Sequence, residues 1–424
     1  MKKKIPVSEI RKGMYIAELD RPWIETPFLF QGFEISDDNE IEQLLAHCQT
    51  VYIDTEQGLD TDPQDRLGPW HIQTTEADEE EKARKLDAEL KEKAATASKR
   101  PPTYSDTTAL EEELEPAREA QNKTRNIIYS ILEDVRLGKS IDTVAAKHAV
   151  GDMTESIIRN PDALICLSEL KNKDEYTALH SLRVCIFALA FGRHLGYPKA
   201  QLNLLGLGAV LHDVGKMRVS NDILNKPEAL TEQEFAIMMS HVPEGVKVLQ
   251  NAKDISPMAI DVARFHHERF DGSGYASGTK GSEISEFGLI GAIVDCYDAI
   301  TSDRVYHKGM SSHDALKRMY EWRTKDFHPI LIEQFIQCMG IYPIGSLVEM
   351  NTGSIGVVVT INRKRRLRPK VNLVLTADKQ AYTSRKIIDL STQPEDENGQ
   401  ALEIKKVLAS GTYGVSASDY LPIR

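Results

Sequence analysis

Between about residue 108 and residue 340, apolar side chains recur every three to four positions, and no alternating pattern interrupts them. That is the period of helices that bury one stripe. Ile127, Ile131 and Val135 fall on one such stripe, and Gly138 provides a stop for that helix. Pro198 suits the first turn of a helix running toward His212. Thr231 and Glu234 have capping-box spacing, each side chain reaching an orphan amide near the other, and the helix they open is expected to carry His241. This region is predicted to be an all-α bundle.

The flanks follow other patterns. Residues 1–70 read as a small α+β module of regulatory or packing character, with strands at Met14 to Leu19, Phe28 to Phe33 and Val51 to Ile53, and a helix at Ile41 to Cys48. Residues 71–110 are charged and Ala-rich, with almost no large apolar side chains, and Pro101 and Pro102 end any helix there. They read as a linker. Residues 341–424 switch to period two, with strands at Ser346 to Met350, Ile355 to Ile361 and Lys370 to Leu375. The basic run Arg363 to Arg368 between the last two is expected to be a solvated hairpin turn. The fold class is therefore mainly α: a helical bundle over 111–340, flanked by an α+β module and a small β unit.

Composition narrows the function. A chain of 424 residues accommodates two or three domains. A net charge of −12 argues against DNA or general nucleic-acid binding, which needs a basic face. It leaves room for a small phosphorylated ligand held by local cations. No stretch approaches the ~20 apolar residues of a membrane span. The start, MKKKIPVSEI, has no apolar run after its lysines, so no signal peptide is expected. Five scattered cysteines without a C-x-x-C pair fit a reducing cytoplasm.

The chemistry concentrates in His and Asp residues. HHERFDGSGY (His266 to Tyr275) places two adjacent imidazoles at the end of an apolar helical stretch, before a Gly-rich acidic loop. LHDVGK (Leu211 to Lys216) is a second signal of this kind. His180 shares a face with Val184 and Phe187, His266 follows Ala259, Val262 and Ala263, and His241 lies one turn after Ile237. Asp295 shares a face with Gly288, Gly291, Ala292 and Ala299, small residues that let another helix approach. One inward His is ordinarily a satisfied core residue. Five inward His and two inward Asp stay compatible only if cations or a dense hydrogen-bond network joins them. Imidazole and carboxylate ligands suit Fe, Mn, Zn or Ni. The set exceeds what one tetrahedral ion requires, which points to two ions sharing an Asp and hence to phosphodiester or phosphate-ester hydrolysis. No nucleophile elbow or phosphate-binding glycine loop supports another chemistry.

The ordered set His180-Ser181, His212-Asp213-x-Gly215-Lys216, His241, His266-His267-Glu268-x-x-Asp271-Gly272-x-Gly274-Tyr275 and Asp295 resembles the HD-GYP phosphodiesterases, a bacterial subgroup of the HD metal-dependent phosphohydrolases. The resemblance covers roughly residues 120–340. RKGMYIAELD also resembles the domain that often precedes HD-GYP. The resemblance implies an HD-type catalytic bundle that opens cyclic di-GMP, or a related cyclic dinucleotide, to linear pGpG, with pGpG or GMP as the end product, using a hydroxide bridging two divalent ions, iron or manganese. The implied ligands are His180, His212, Asp213, His241, His266, His267 and Asp295, with Asp213 bridging. Lys216 would stabilise or protonate the leaving oxygen. Arg304 and Lys308 would grip phosphate, with Tyr275 and Ser181 as further substrate contacts. The sequence departs from the family at Ala276, Val305 and His307, where proline, proline and a basic residue are common. A homodimer, and protein partners meeting the Gly274-Tyr275-Ala276 loop or the N-terminal module, are further expectations.

Two other readings stand beside hydrolysis of cyclic di-GMP. One is a cyclic-dinucleotide sensor with negligible turnover, and the other is a hydrolase of mixed cyclic GMP–AMP, since ligands that touch phosphate do not discriminate bases. Some family members hold a third ion through a glutamate one turn before the first histidine. Here Tyr176 stands at that position and Glu175 is rotated away, so two ions are expected.

Overall fold

The computed structural model describes residues 2–21, 26, 28, 30, 32–35, 38–60, 104–169, 176–303, 309–396 and 398–422. The chain forms two compact units, Met1–Glu89 and Leu90–Arg424.

In the first unit, β1 (Lys2–Pro6), β2 (Tyr15–Leu19), β3 (Phe33–Glu34) and β4 (Thr50–Asp54) form an antiparallel sheet in the order β1-β4-β2-β3, with α1 at Asp38–His47. Ile5, Met14, Ile16, Leu44, Val51 and Ile53 make its core. Strand β1 escapes the hydrophobic pattern because its three lysines are exposed and Ile5 alone of its residues is buried. Of the strand expected at Phe28 to Phe33, the regular part among the described residues is the two-residue β3. The charged stretch 61–103 lies outside the described residues.

The helical part of the second unit runs through α2 (Leu110–Arg136), α3 (Thr143–Arg159), α4 (Pro161–Ser168), α5 (Tyr176–His194), α6 (Lys199–Leu211), α7 (Asn221–Leu224), α8 (Glu232–Met239), α9 (His241–Asn251), α10 (Pro257–Phe265), α11 (Glu286–Thr301), α12 (Ser312–Glu321) and α13 (Pro329–Met339). The buried stripe of α2 is Thr124, Ile128, Ile131 and Val135, rotated so that Ile127 is only half-buried. Gly138 follows at φ +77°, the left-handed conformation that ends helices. Pro198 caps α6, and Thr231 and Glu234 form the capping box of α8. His241 does not lie on that capped helix, however. Helix α8 ends at Met239, and His241 opens α9. Pro243 explains the break: its ring would clash with the Met239 carbonyl of a continuous helix, but it fits the first turn of a new one.

The C-terminal part is a five-stranded antiparallel sheet of order β8-β7-β6-β5-β9, from β5 (Leu347–Met350), β6 (Ile355–Thr360), β7 (Lys370–Leu375), β8 (Ala381–Asp389) and β9 (Ile404–Leu408). Its core includes Val348, Val358, Val371 and Leu390. The run after β6 is not a purely solvated turn. Arg363 donates to Asp162 Oδ1 at 2.5 Å and to Asp106 at 3.4 Å, while the Ile361 amide approaches Asp162 Oδ2 at 3.3 Å. Asp162 is buried on α4, where only a cationic partner makes its charge tolerable. Arg363 therefore fastens the β unit to the bundle. Among the described residues no helix is long and apolar enough to cross a membrane.

Candidate metal centre

Helix ends build this site. His212 caps the C-terminus of α6 and Asp213 follows it; Lys216 lies in the next 3₁₀ turn. His241 begins α9, His266 caps α10 with His267 directly after, and His180 and Asp295 come from α5 and α11. The 3₁₀ turn packs tightly on α9: a Cβ on Gly215 would lie 1.9 Å from the His241 carbonyl oxygen, so only glycine lets Asp213 and His241 approach. A Cβ on Gly274 would lie 2.5 Å from the His267 carbonyl oxygen, and the Tyr275 amide donates to that same oxygen at 3.1 Å. The glycine loop is thus folded against the two histidines.

All seven expected ligands converge, in two abutting groups: Asp213, His241, His266 and His267, and then His180, His212 and Asp295. Asp213 Oδ1 faces His241 Nε2 at 3.4 Å and His266 Nε2 at 3.6 Å. Its Oδ2 lies 3.4 Å from both His180 Nε2 and His212 Nε2, and 2.5 Å from Lys216 Nζ. Asp295 Oδ1 is 3.0 Å from His180 Nε2. One carboxylate therefore presents an oxygen to each group.

The histidines are held in a ligating tautomer. A carbonyl oxygen can only accept, so Nδ1 carries the proton in His212, His241 and His266, donating to Ala209, Met238 and Ala263 at 2.7, 2.7 and 2.8 Å. His180 Nδ1 lies 2.6 Å from Asp298 Oδ2. In each case Nε2 faces the centre. Among the described residues, His212 Nε2 and Asp213 Oδ1 are buried without a hydrogen-bond partner. Buried polar atoms left in this way are costly unless something else binds them. A cation answers both at once, so the donor set fits divalent-metal binding.

Electrostatics divides the site. Burial opposes a charge on His180, but Asp213, Asp295 and Asp298 outweigh it and hold the imidazole well above its usual range. His212 is likewise raised to about 8, its carboxylate neighbours Asp213 and Asp295 overcoming burial. Burial takes His241 down to about 4, lowers His266, and puts His267 well below the usual range with help from His266. Asp213 stays ionised well below the usual carboxylate range: burial opposes this, and Lys216, His212 and His180 prevail.

Asp298, Arg183 and Glu268 support the site without having been assigned a role from the sequence. Asp298 is buried one turn after Asp295, orienting His180 and paired with Arg183, whose Nη2 also donates to Ser302 at 2.9 Å. The Asp295–Asp298 spacing on one helix face was the available signal. Glu268, also buried, accepts from the Ser277 amide at 2.7 Å and pins the glycine loop. Tyr275 stacks on His267 with centroids 4.5 Å apart and lines the cleft that opens on the centre, as does Lys216. Ser181 is buried and is not among the cleft-lining residues. Arg304, Lys308, Asp174 and Glu175 lie outside the described residues, as does the side chain of Tyr176.

The bundle and its clustered ligands define an HD-type metal-dependent protein. A family model described as an HD domain matches residues 165–329, a KOW domain associated with HD domain matches 347–396, and a domain of unknown function (DUF3391) matches 2–146. The chain is 34% identical over 392 residues to a cyclic di-GMP phosphodiesterase of Pseudomonas aeruginosa, covering 92% of this chain and 89% of that one. It is 33% identical over 177 residues to a cyclic di-GMP phosphodiesterase of Thermotoga maritima, covering 42% of this chain and 48% of that protein. It is 32% identical over 162 residues to a 3'3'-cGAMP-specific phosphodiesterase of Vibrio cholerae, covering 38% and 31%. The chain belongs to the HD-GYP phosphodiesterase family.

Proposed function

We propose that this chain hydrolyses cyclic di-GMP to linear pGpG, in the cytoplasm, at a centre that holds two divalent ions, iron or manganese. The observation that carries the reading is Asp213, which offers Oδ1 to His241 and His266 and Oδ2 to His180 and His212. A full-length relative named for this activity supports the substrate.

The chemistry supplied by two bound divalent ions is polarisation of the phosphodiester and a hydroxide nucleophile at neutral pH. The rest falls to the protein. His180, His212 and Asp295 would hold one ion, His241, His266 and His267 the other, and Asp213 would offer an oxygen to each. Asp298 and the helix carbonyls keep Nε2 of His180, His212, His241 and His266 aimed inward, so little reorganisation of these four accompanies binding. Lys216 lines the cleft with its Nζ 2.5 Å from Asp213 Oδ2, placed to give a proton to the leaving ribose oxygen as the P–O bond breaks. Arg304 and Lys308 are assigned to the substrate phosphate on the resemblance of DRVYHKG to the family pattern.

A second reading, hydrolysis of mixed cyclic GMP–AMP, is favoured by relatives named as specific for that dinucleotide. Anaerobic purification, metal analysis and product identification on both dinucleotides test the two together. Turnover of cyclic di-GMP with pGpG released is the expected result. Metal-loaded protein that cleaves neither contradicts the proposal and favours a sensor.

A further inference from the structure

Four histidines of the centre have an anchored ring. Nδ1 of His212, His241 and His266 donates to a helix carbonyl, and Nδ1 of His180 meets Asp298. His267 has no such anchor. Its ring makes no hydrogen bond among the described residues, and Asp295 Oδ2 lies 3.8 Å from its Nδ1. It is also the more open ring, with a side chain 19% exposed against 3% or less for the other four. An imidazole without an anchor keeps rotamer freedom, and freezing that freedom costs affinity when a ligand is bound.

What holds this ring is aromatic. Tyr275 stacks on His267 with centroids 4.5 Å and planes 27° apart, and it meets His241 of the same half in a T-shaped pair at 6.5 Å. The Tyr275 backbone is fixed from both sides. Its own amide donates to the His267 carbonyl oxygen at 3.1 Å, and the Ser277 amide donates to buried Glu268 at 2.7 Å. The Tyr275 hydroxyl makes no hydrogen bond among the described residues, so the ring rather than the oxygen meets the ligand. Behind Tyr275 stands Phe235 of α8, in a T-shaped pair with centroids 6.0 Å apart. Phe235 is 47% exposed, on a helix with no buried residue. Burial does not account for a large apolar side chain there, whereas the ring it backs does.

We propose that Tyr275 and Phe235 form an aromatic backstop that positions His267 as a metal ligand, supplying by ring stacking what a hydrogen bond supplies to the other four histidines. Tyr275 is then a positioning residue for the half built by His241, His266 and His267, and α8 supports that half from its exposed face. The family resemblance assigns the Tyr275 side chain to substrate; the geometry assigns its ring to a ligand. This rests on the two-metal reading above.

The test titrates Mn²⁺ calorimetrically into the metal-free full chain as wild type, Tyr275→Phe, Tyr275→Leu and Phe235→Ala, with Tm measured alongside. Tyr275→Phe keeps the stacked ring, so both affinities stay within about twofold of wild type. Tyr275→Leu keeps apolar bulk without the stack. Affinity for one ion then falls roughly three- to tenfold, the worth of one aromatic pair, while the other ion is unaffected. Phe235→Ala weakens the same ion by less and leaves Tm unchanged, since the side chain is exposed. Unaltered affinities in Tyr275→Leu, equal weakening of both ions, or a loss in Tyr275→Phe as large as in Tyr275→Leu overturn the proposal. A second measurement needs no metal. With ¹³C-labelled histidines, relaxation of the His267 ring signal, assigned through His267→Gln, reports how firmly the ring is held. The ring is rigid in wild type and Tyr275→Phe and gains motion in Tyr275→Leu and Phe235→Ala; equal rigidity in all four overturns the backstop. If the wild type takes up fewer than two ions, the two-metal reading fails and the ring relaxation decides the positioning. If Tyr275→Leu does not fold, Phe235→Ala decides it in both measurements.

Discussion

The two halves of the metal centre use the same ligand types yet are built differently. Around His180 and His212 the protein crowds carboxylates: Asp213 and Asp295 face both, and Asp298 is added behind His180. Their imidazoles are driven toward the charged form. Around His241, His266 and His267 burial dominates, and the rings are driven neutral. The first half is a strongly anionic socket in which a metal must displace protons. The second is an imidazole cup that meets Asp213 Oδ1 at His241 and His266, and Asp295 Oδ2 at 3.8 Å from His267 Nδ1. The difference teaches that Asp213 is more than one ligand of seven. Without it the cup keeps only the more distant Asp295 carboxylate, beside His267.

The largest effect should therefore come from Asp213→Ala. Both ions are expected to be lost and turnover to fall to background, whereas two metals per chain with normal turnover would show that the halves are independent. Next in size is Lys216→Ala, which leaves both halves loaded but removes a donor at the leaving oxygen. A kcat loss on the order of 10²-fold with unchanged metal content is expected, and a change confined to KM would reassign Lys216 to substrate binding. Asp298→Ala should damage the first half alone, weakening its metal affinity roughly 10–100-fold. Equal weakening of both halves would contradict the division.

The smallest and sharpest test is pH. Metal competes with protons on a ligand whose pKa is raised, so affinity in the first half should climb as pH rises from 6 toward 8, where His212 in the metal-free protein loses its proton. The slope is about tenfold per pH unit for each proton displaced. The second half should stay flat over that range, because His241 titrates near 4. Parallel slopes from calorimetric titrations at several pH values would remove the distinction.

Much of this site was legible in the sequence, because helical period alone turns His180, His266 and Asp295 inward. HD-x-GK and HHE-x-x-DG-x-GY are local, and their spacing survives folding. What the pattern hid was relational. Asp298 looks like one more polar residue on an apolar helix until His180, 118 positions earlier, is seen beside it. Arg363 reads as a solvated turn residue until buried Asp162 is found opposite, 201 positions away. Strands β1 and β8 lacked an apolar alternation because most of their side chains face solvent. The break before His241 was readable from Pro243, whose missing amide forbids one continuous helix.

The central claim is that one carboxylate couples two metal positions into a single hydrolytic unit. Titrating metal into apo-protein under anaerobic conditions, while counting bound ions and following cyclic di-GMP cleavage in the same samples, tests it most directly. The account predicts that cleavage appears only as the second ion binds and that His180→Ala and His241→Ala each stop at one ion and stay inactive. Full turnover at one ion per chain, or in either variant, would contradict it.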